Sequence, residues 1–189
     1  MARNGAMQVF LVLLAGLALA VRSGPQEFPP AGWKNLPDPV ASPYAVVGGE
    51  ASEFASQYPK SLNYYLDTNV FSSRLFGALY ESLIEMNSQT KGYEPALARK
   101  WTLSEDKSSF TFEIDPRARW SDGRPVTAAD VRFTFDTIMN PKHMTGVHKI
   151  SLERFEPPEV IDKMTIRFRA KEVHWKNLGG VGSMQILPR

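Results

Sequence analysis

Two pairs of carboxylates have the residue types that acid and base catalysis of hydrolysis requires: Glu105 with Asp106, and Glu156 with Glu159. The first pair lies in a polar corner between two apolar runs, and the second flanks a Pro-Pro dipeptide, so both are predicted to be solvated surface carboxylates. The chain has no cysteine, no Gly-x-Ser-x-Gly elbow and no His–Glu set at metal spacing to supply a nucleophile or activate water. We therefore predict that the protein is not an enzyme, with a secreted hydrolase as the alternative.

Histidines and glycines give three further patterns that could bind a ligand. His143 and His148 are five residues apart, a poor metal spacing, and both are predicted to be exposed to solvent. His174, beside Trp175, is predicted to have a packing role. The Gly-rich run at 179–182 lacks the preceding parallel strand, the following helix and the Lys-Ser/Thr pair of a phosphate loop. We expect neither a metal nor a cofactor.

The composition excludes several classes of protein. The 189 residues are 43% hydrophobic and 22% charged, which is typical of a soluble globular chain and not of a disordered or collagen-like one. With 22 Lys and Arg against 20 Asp and Glu, the net charge is only +2, too small to concentrate phosphates at the surface. We therefore expect no nucleic-acid partner.

The first twenty residues are predicted to be a secretory signal peptide. The run VFLVLLAGLALAV at 9–21 is too short to span a bilayer, and it contains Ala18-Leu19-Ala20, a small-x-small cleavage pattern. We place cleavage after Ala20; a short membrane anchor is the alternative. Because the chain has no cysteine to carry a lipid, we expect a periplasmic product without a lipid anchor.

Residues 21–47 contain six prolines, which exclude a helix and favour an extended arm. Trp33, Tyr44 and Val46 could anchor this arm to a surface. A weak strand is predicted at 50–58. Residues of the types that cap helices follow at 67–69, and a helix is predicted after them. Its apolar face is predicted from hydrophobic residues that recur every four positions. These residues are Phe71, Leu75, Leu79 and Leu83.

Local patterns predict an α+β chain after this helix. A short helical turn is expected around 96–99, ending at Trp101, and then a hairpin with strands at 101–104 and 110–114. Thr127 is the expected N-cap of a second helix, in a capping box with Asp130, and the helix stops at Asn140-Pro141. A second pair of strands is expected at 160–161 and 166–170.

Four motifs, in the right order and spacing, resemble the N-terminal part of the family 5 extracellular solute-binding proteins. These are the periplasmic oligopeptide and dipeptide receptors of ABC importers. One departure is Tyr64, where family members often have proline. We interpret the WSDG turn at 120–123 as structural, since Trp packs and Gly turns. The motifs are LYESL at 79–83, YEPALARKW at 93–101, FTFEI at 110–114 and RWSDGRPVTAADV at 119–131.

The resemblance implies a large two-lobed α/β protein of the periplasmic-binding-protein type II fold, which closes on a peptide. On that fold, 48–79 is the first strand and helix of lobe one, and 80–189 is most of an extra subdomain. Family members continue well past the segment similar to 185–188, so we expect this chain to be a truncated form.

The resemblance also implies the ligand-binding residues, which are Thr68, Asn69 and Val70, in the loop before the first helix. A helix N-terminus suits a carboxylate or carbonyl, while helix capping alone explains the same residue types equally well. The implied partners are a peptide or peptide-like solute and an inner-membrane ABC permease, and we expect a monomer. Alternatives are another solute, namely nickel, a glycoside or a peptide-nucleotide conjugate, or a fragment without function.

Overall fold

A computed structural model describes residues 24–34, 42, 44, 46, 48–50, 52, 54–55, 57–66 and 69–189. The predicted signal peptide lies outside the described residues. The strands β1 to β7 run over Gln26–Phe28, Ile84–Met86, Tyr93–Pro95, Ala98–Leu103, Ser109–Ile114, Glu159–Val160 and Thr165–Arg169. The helices α1 to α4 run over Val70–Leu79, Ala128–Met139, Gly146–Leu152 and Asn177–Gly182.

Five of the strands form one antiparallel sheet in the order β1-β4-β5-β7-β6. Its centre is the predicted hairpin of β4 and β5, in which Phe110, Phe112 and Ile114 alternate with half-buried polar residues. Phe112 pairs with Trp101 on one side and Ile166 on the other, so all three side chains share the buried face. The predicted hairpin and the pair β6–β7 are confirmed.

The second predicted helix, α2, is confirmed with its cap. The Thr127 N–H and hydroxyl both donate to the Asp130 carboxylate, at 2.8 and 2.7 Å, which closes the capping box. The predicted stripe is buried, including Val131 and Phe135, and α2 contacts β6 and β7. The helix ends at Met139 because Asn140, before a proline, is extended.

The first predicted helix exists as α1, but its buried face differs from the prediction. Leu79 is 56% exposed, and Leu83 lies beyond the helix in the hydrophobic core. The buried residues of α1 are Ser72 and Phe76. The helix ends early because Tyr80 is already extended, so the four-residue spacing does not continue along one helical face to Leu83.

The helical turn expected at 96–99 is wrong. Tyr93–Pro95 is strand β3, which pairs with β2 to form a separate two-stranded sheet, and β4 already begins at Ala98. The physical reason is that the chain hydrogen-bonds across to a distant segment. The N–H groups of Leu97 and Ala98 donate to the carbonyls of Ser82 and Leu83, which leaves no helical pattern.

The Pro-rich arm is extended where β1 lies, at the edge of the five-stranded sheet. Its anchor is Phe28, whose ring stacks on Trp101 with a centroid distance of 5.7 Å. Of the anchors expected from sequence, Tyr44 and Val46 are exposed, and Trp33 is half-buried. The described residues of 50–58 lie outside every strand.

Candidate functional site

The structure describes two of the three predicted ligand-binding residues, at the N-terminus of α1, and Thr68 lies outside the described residues. Asn69 is the N-cap: its Oδ1 accepts from the Ser72 N–H at 2.9 Å, and its Nδ2 donates to Ser72 Oγ at 2.7 Å. Val70 is 74% exposed at the first helical position. The capping role of Asn69 is therefore present, and a ligand role for residues 68–70 stays a prediction.

Tyr64 connects this helix to the rest of the site. Its ring lies 5.6 Å from the ring of Phe76 in α1 and 5.6 Å from that of His148 in α3, centroid to centroid. Tyr65 also contacts His148, edge to face, at 4.9 Å. The position that departs from the family pattern thus supplies the ring shared by α1 and α3.

The prediction that His148 is exposed to solvent is wrong, whereas His143 is exposed as predicted. The two tyrosine rings partly bury His148, and this burial lowers the pKa of its imidazole. Its Nε2 is buried and has no hydrogen-bond partner among the described residues. Buried polar atoms in proteins are nearly always paired, so this nitrogen is unusual.

A cavity of about 180 Å³ lies between the 64–65 segment, α3 and α4. Gln185 is one of the residues that line the cavity. The described lining residues include no Asp, Glu, Lys or Arg. The Tyr65 hydroxyl donates to the backbone carbonyl of Gln185 at 2.6 Å, and burial raises the pKa of Tyr65, which keeps this donor protonated. The cavity therefore has aromatic and amide walls that carry no formal charge.

The Gly-rich run at 179–182 belongs to α4 and has a packing role. A Cβ on Gly182 would overlap the side chain of Ile84, and a Cβ on Gly179 would overlap the Tyr93 hydroxyl. These glycines allow α4 to approach β2 and β3 closely. The run is helical, which agrees with the prediction that it is not a phosphate loop.

The remaining predicted positions have structural or surface roles. In the WSDG turn, the Gly123 N–H donates to the Trp120 carbonyl at 2.9 Å, and Gly123 has a φ of +86°, which favours glycine. The two carboxylate pairs are on the surface, as predicted: Glu105, Asp106, Glu156 and Glu159 are exposed.

The half-buried ring of His174, for which a packing role is predicted, stacks on the ring of Trp175 with a centroid distance of 5.9 Å. Trp175 is 82% exposed, with His174 stacked on its ring and the Lys176 ammonium 5.0 Å from its centroid. In the part of the chain that the structure describes, no cluster of three or more His, Asp or Glu could hold a metal ion. No described helix is long and apolar enough to cross a membrane.

Comparison with known proteins decides the family. The sequence profile of the bacterial extracellular solute-binding proteins, family 5 Middle, matches residues 92–188, just over half of the chain. The chain belongs to this family. The match extends from the residue before β3 through α4, and it confirms the resemblance predicted from the sequence motifs.

Named relatives agree with family 5. A probable ABC transporter-binding protein of Deinococcus radiodurans is 36% identical over 112 residues, covering 57% of this chain and 18% of that protein. The dipeptide-binding protein DppE of Bacillus subtilis is 43% identical over 49 residues, covering 26% of this chain and 9% of that protein. The chain thus spans less than a fifth of the length of these relatives.

The fold of this chain also matches solved structures. Haemophilus influenzae OppA, solved in complex with the peptide RPPGFSPFR, has a TM-score of 0.60 and 24% identity, covering 69% of this chain and 29% of OppA. This similarity confirms the predicted periplasmic-binding-protein fold class. The predicted site at 68–70 precedes the segment matched by the family profile.

Proposed function

We propose that this chain is the solute-binding component of an ABC importer and that its solute is a peptide. The observation that carries the proposal is the family 5 match over residues 92–188, which covers most of the five-stranded sheet and three of the four described helices. The names of the relatives support the peptide, since DppE is a dipeptide-binding protein. We propose that the chain is exported to the periplasm, binds as a monomer and delivers its solute to a membrane permease.

The chemistry at the α1 N-terminus suits a peptide main chain. The first N–H groups of a helix have no carbonyl four residues earlier to bond, and the helix dipole is positive at this end. The Asn69 side chain already accepts the hydrogen bond of the Ser72 N–H, so we assign the ligand contacts to main-chain groups at 68–70. Binding through main-chain groups tolerates many peptide sequences.

Closure of the second lobe over the peptide is part of the proposed mechanism. A ligand that contacts both lobes stabilises the closed form, and affinity then depends on how much more tightly the closed form binds. The binding step makes and breaks no covalent bond in the solute. The proposal therefore requires no catalytic residue in this chain.

The test begins with the native product in a periplasmic extract. Its intact mass reports both the signal cleavage site and the length of the chain, and cleavage after Ala20 is expected. Calorimetry of this product with a pool of short peptides should give saturable heat, whereas Ni²⁺ and simple glycosides should give none. Absence of heat with peptides would refute the peptide assignment, and heat with Ni²⁺ or a glycoside would replace it.

Two matched variants locate the site on α1. Val70→Lys adds a long cation at the exposed N-terminal position and should weaken peptide binding by about tenfold or more, equivalent to about 1.4 kcal/mol. Leu79→Lys makes the same exchange of an exposed apolar residue at the other end of the helix, and should leave binding unchanged. Equal effects of the two variants would contradict a site at 68–70.

A further inference from the structure

Strand β1 lies on the five-stranded sheet in the way that a bound peptide would. It is three residues long, it forms one edge of the sheet, and its neighbour in the sheet is β4. An extended segment that adds to a sheet edge through main-chain hydrogen bonds is a common mode of peptide recognition. The three antiparallel pairs are Gln26 with Leu103, Glu27 with Thr102, and Phe28 with Trp101.

Phe28 is the side-chain anchor of this segment. Its ring is stacked on the ring of Trp101, with a centroid distance of 5.7 Å and an angle of 11° between the planes. Trp101 is 2% exposed with the Phe28 ring in place. Gln26 and Glu27, in contrast, are exposed. One aromatic contact and a short main-chain ladder therefore hold β1 on the sheet.

The chain after β1 connects it to the rest of the protein as a long tether. No described residue from 24 to 64 is buried, and Tyr65 is the first that is. No described residue at 29–69 belongs to a helix or strand. The effective concentration of a tethered segment at its own site falls as the tether lengthens, so a free copy of the same segment can compete for the site.

The sheet also holds β4 from its other side. There β4 pairs with β5, and Trp101 lies opposite Phe112, which is fully buried. If β1 leaves, β4 keeps this partner and presents an open edge beside the ring of Trp101. The unpaired main-chain groups of an open edge pair readily with another strand.

We propose that the outer edge of β4 is a strand-acceptor site, which residues 26–28 fill within one chain and which accepts the same segment from a second copy. The ligand is an extended segment whose aromatic side chain stacks on Trp101. Exchange of β1 between two copies remakes the same contacts in each, so this dimer needs no new interface. At low concentration the tethered segment prevails, and the chain is a monomer.

A labelled peptide with the sequence of residues 24–31 tests the site on the full mature chain, with binding measured by fluorescence anisotropy. Phe28→Ala in the peptide removes the ring that stacks on Trp101 and should weaken binding by about tenfold. Phe28→Ala in the chain weakens the competing tethered segment. The unaltered peptide should therefore bind this variant chain about tenfold more tightly than the wild-type chain.

These opposite effects distinguish the acceptor site from the solute site of the proposed function. A peptide bound as solute would bind the wild-type and Phe28→Ala chains equally, because Phe28 lies at the sheet edge and not at 68–70. Equal binding to both chains, or no binding to either, refutes the acceptor site and leaves the proposed function untouched. Circular dichroism verifies the fold of the variant chain. If Phe28→Ala unfolds the chain, β1 is part of the folding core and not a tethered ligand, which also refutes the proposal.

Sedimentation velocity of the wild-type chain tests the second copy as the partner. The dimer fraction should increase with protein concentration and decrease when the unaltered peptide is added in excess. The Phe28→Ala peptide is the matched control and should leave the dimer fraction unchanged. A chain that binds the peptide but stays monomeric at every concentration would refute exchange between copies.

Discussion

Substituting Gly182 with Ala tests how closely α4 packs on the β2–β3 hairpin. Gly182 is the last residue of α4, and both it and Ile84 are buried. A Cβ at Gly182 would overlap Ile84 Cδ1 and Cγ1, so the helix or the isoleucine must move. Ile84 is fully buried, which leaves it little room to rotate.

The expected change in the free energy of unfolding of Gly182→Ala is the difference between two opposing effects. Replacing Gly by Ala in a helix stabilises by about 1 kcal/mol, while inserting an extra carbon in a packed core costs about 1–3 kcal/mol. We expect Gly182→Ala to lower the free energy of unfolding by about 1 kcal/mol. For a chain of this length, that loss lowers Tm by about 2–4 °C.

Gly180→Ala is the matched control in the same helix. The nearest atom to its added Cβ is Ser151 Cβ at 3.8 Å, an ordinary contact. The higher helix propensity of Ala should therefore raise the free energy of unfolding by about 0.5–1 kcal/mol. Urea unfolding with an unchanged m value measures both variants. If Gly182→Ala is as stable as Gly180→Ala, the packing argument is refuted. Adding Ile84→Val, which removes Cδ1, should recover part of the loss in Gly182→Ala.

Three other predictions concern α2 and His148. Asp130→Ala removes the acceptor of both Thr127 hydrogen bonds and should lower the free energy of unfolding by about 1–2 kcal/mol in urea, while Thr127→Ser should cost little. Thr134→Val leaves the buried N–H of Leu187 without its 2.9 Å partner and should cost about 1–3 kcal/mol, whereas Thr134→Ser should recover most of it. Burial lowers the pKa of His148, so as pH falls below about 6.5 the unfolded chain takes up a proton first and stability decreases. His148→Gln should flatten the dependence of unfolding free energy on pH between about 7 and 5, and an unchanged dependence would contradict the burial of the ring.

The elements predicted correctly have signals confined to a few neighbouring residues. The β4–β5 hairpin follows from strict alternation at 110–114, and α2 follows from Thr127, Asp130 and the proline after Asn140. In each case, the residues that form the backbone hydrogen bonds and the residues that give the pattern are the same. The prediction therefore needs no knowledge of distant contacts.

The elements that were missed depend on distant partners. β2 and β3 are each three residues long, and the chain at 96–98 bonds to carbonyls at 82–83. α3 and α4 are seven and six residues long, too short to be stable without tertiary contacts. The sequence around 177–182, with three glycines, disfavours a helix, and close packing on Ile84 and Tyr93 favours glycine at two of these positions.

The contrast between local signals and distant contacts also separates the residues of the scaffold from those of the cavity. The motifs that resemble family 5 coincide with the hairpin, the WSDG turn and the start of α2, all of which position backbone. His148 lies outside those motifs, Gln185 lies in the segment at 185–188 that also resembles family members, and Tyr64 departs from the family pattern at its position. These three residues line the cavity and belong to no strand of the five-stranded sheet. Because the Tyr64 ring also contacts Phe76 of α1 and His148 of α3, an exchange at this position changes the packing of both helices as well as the cavity.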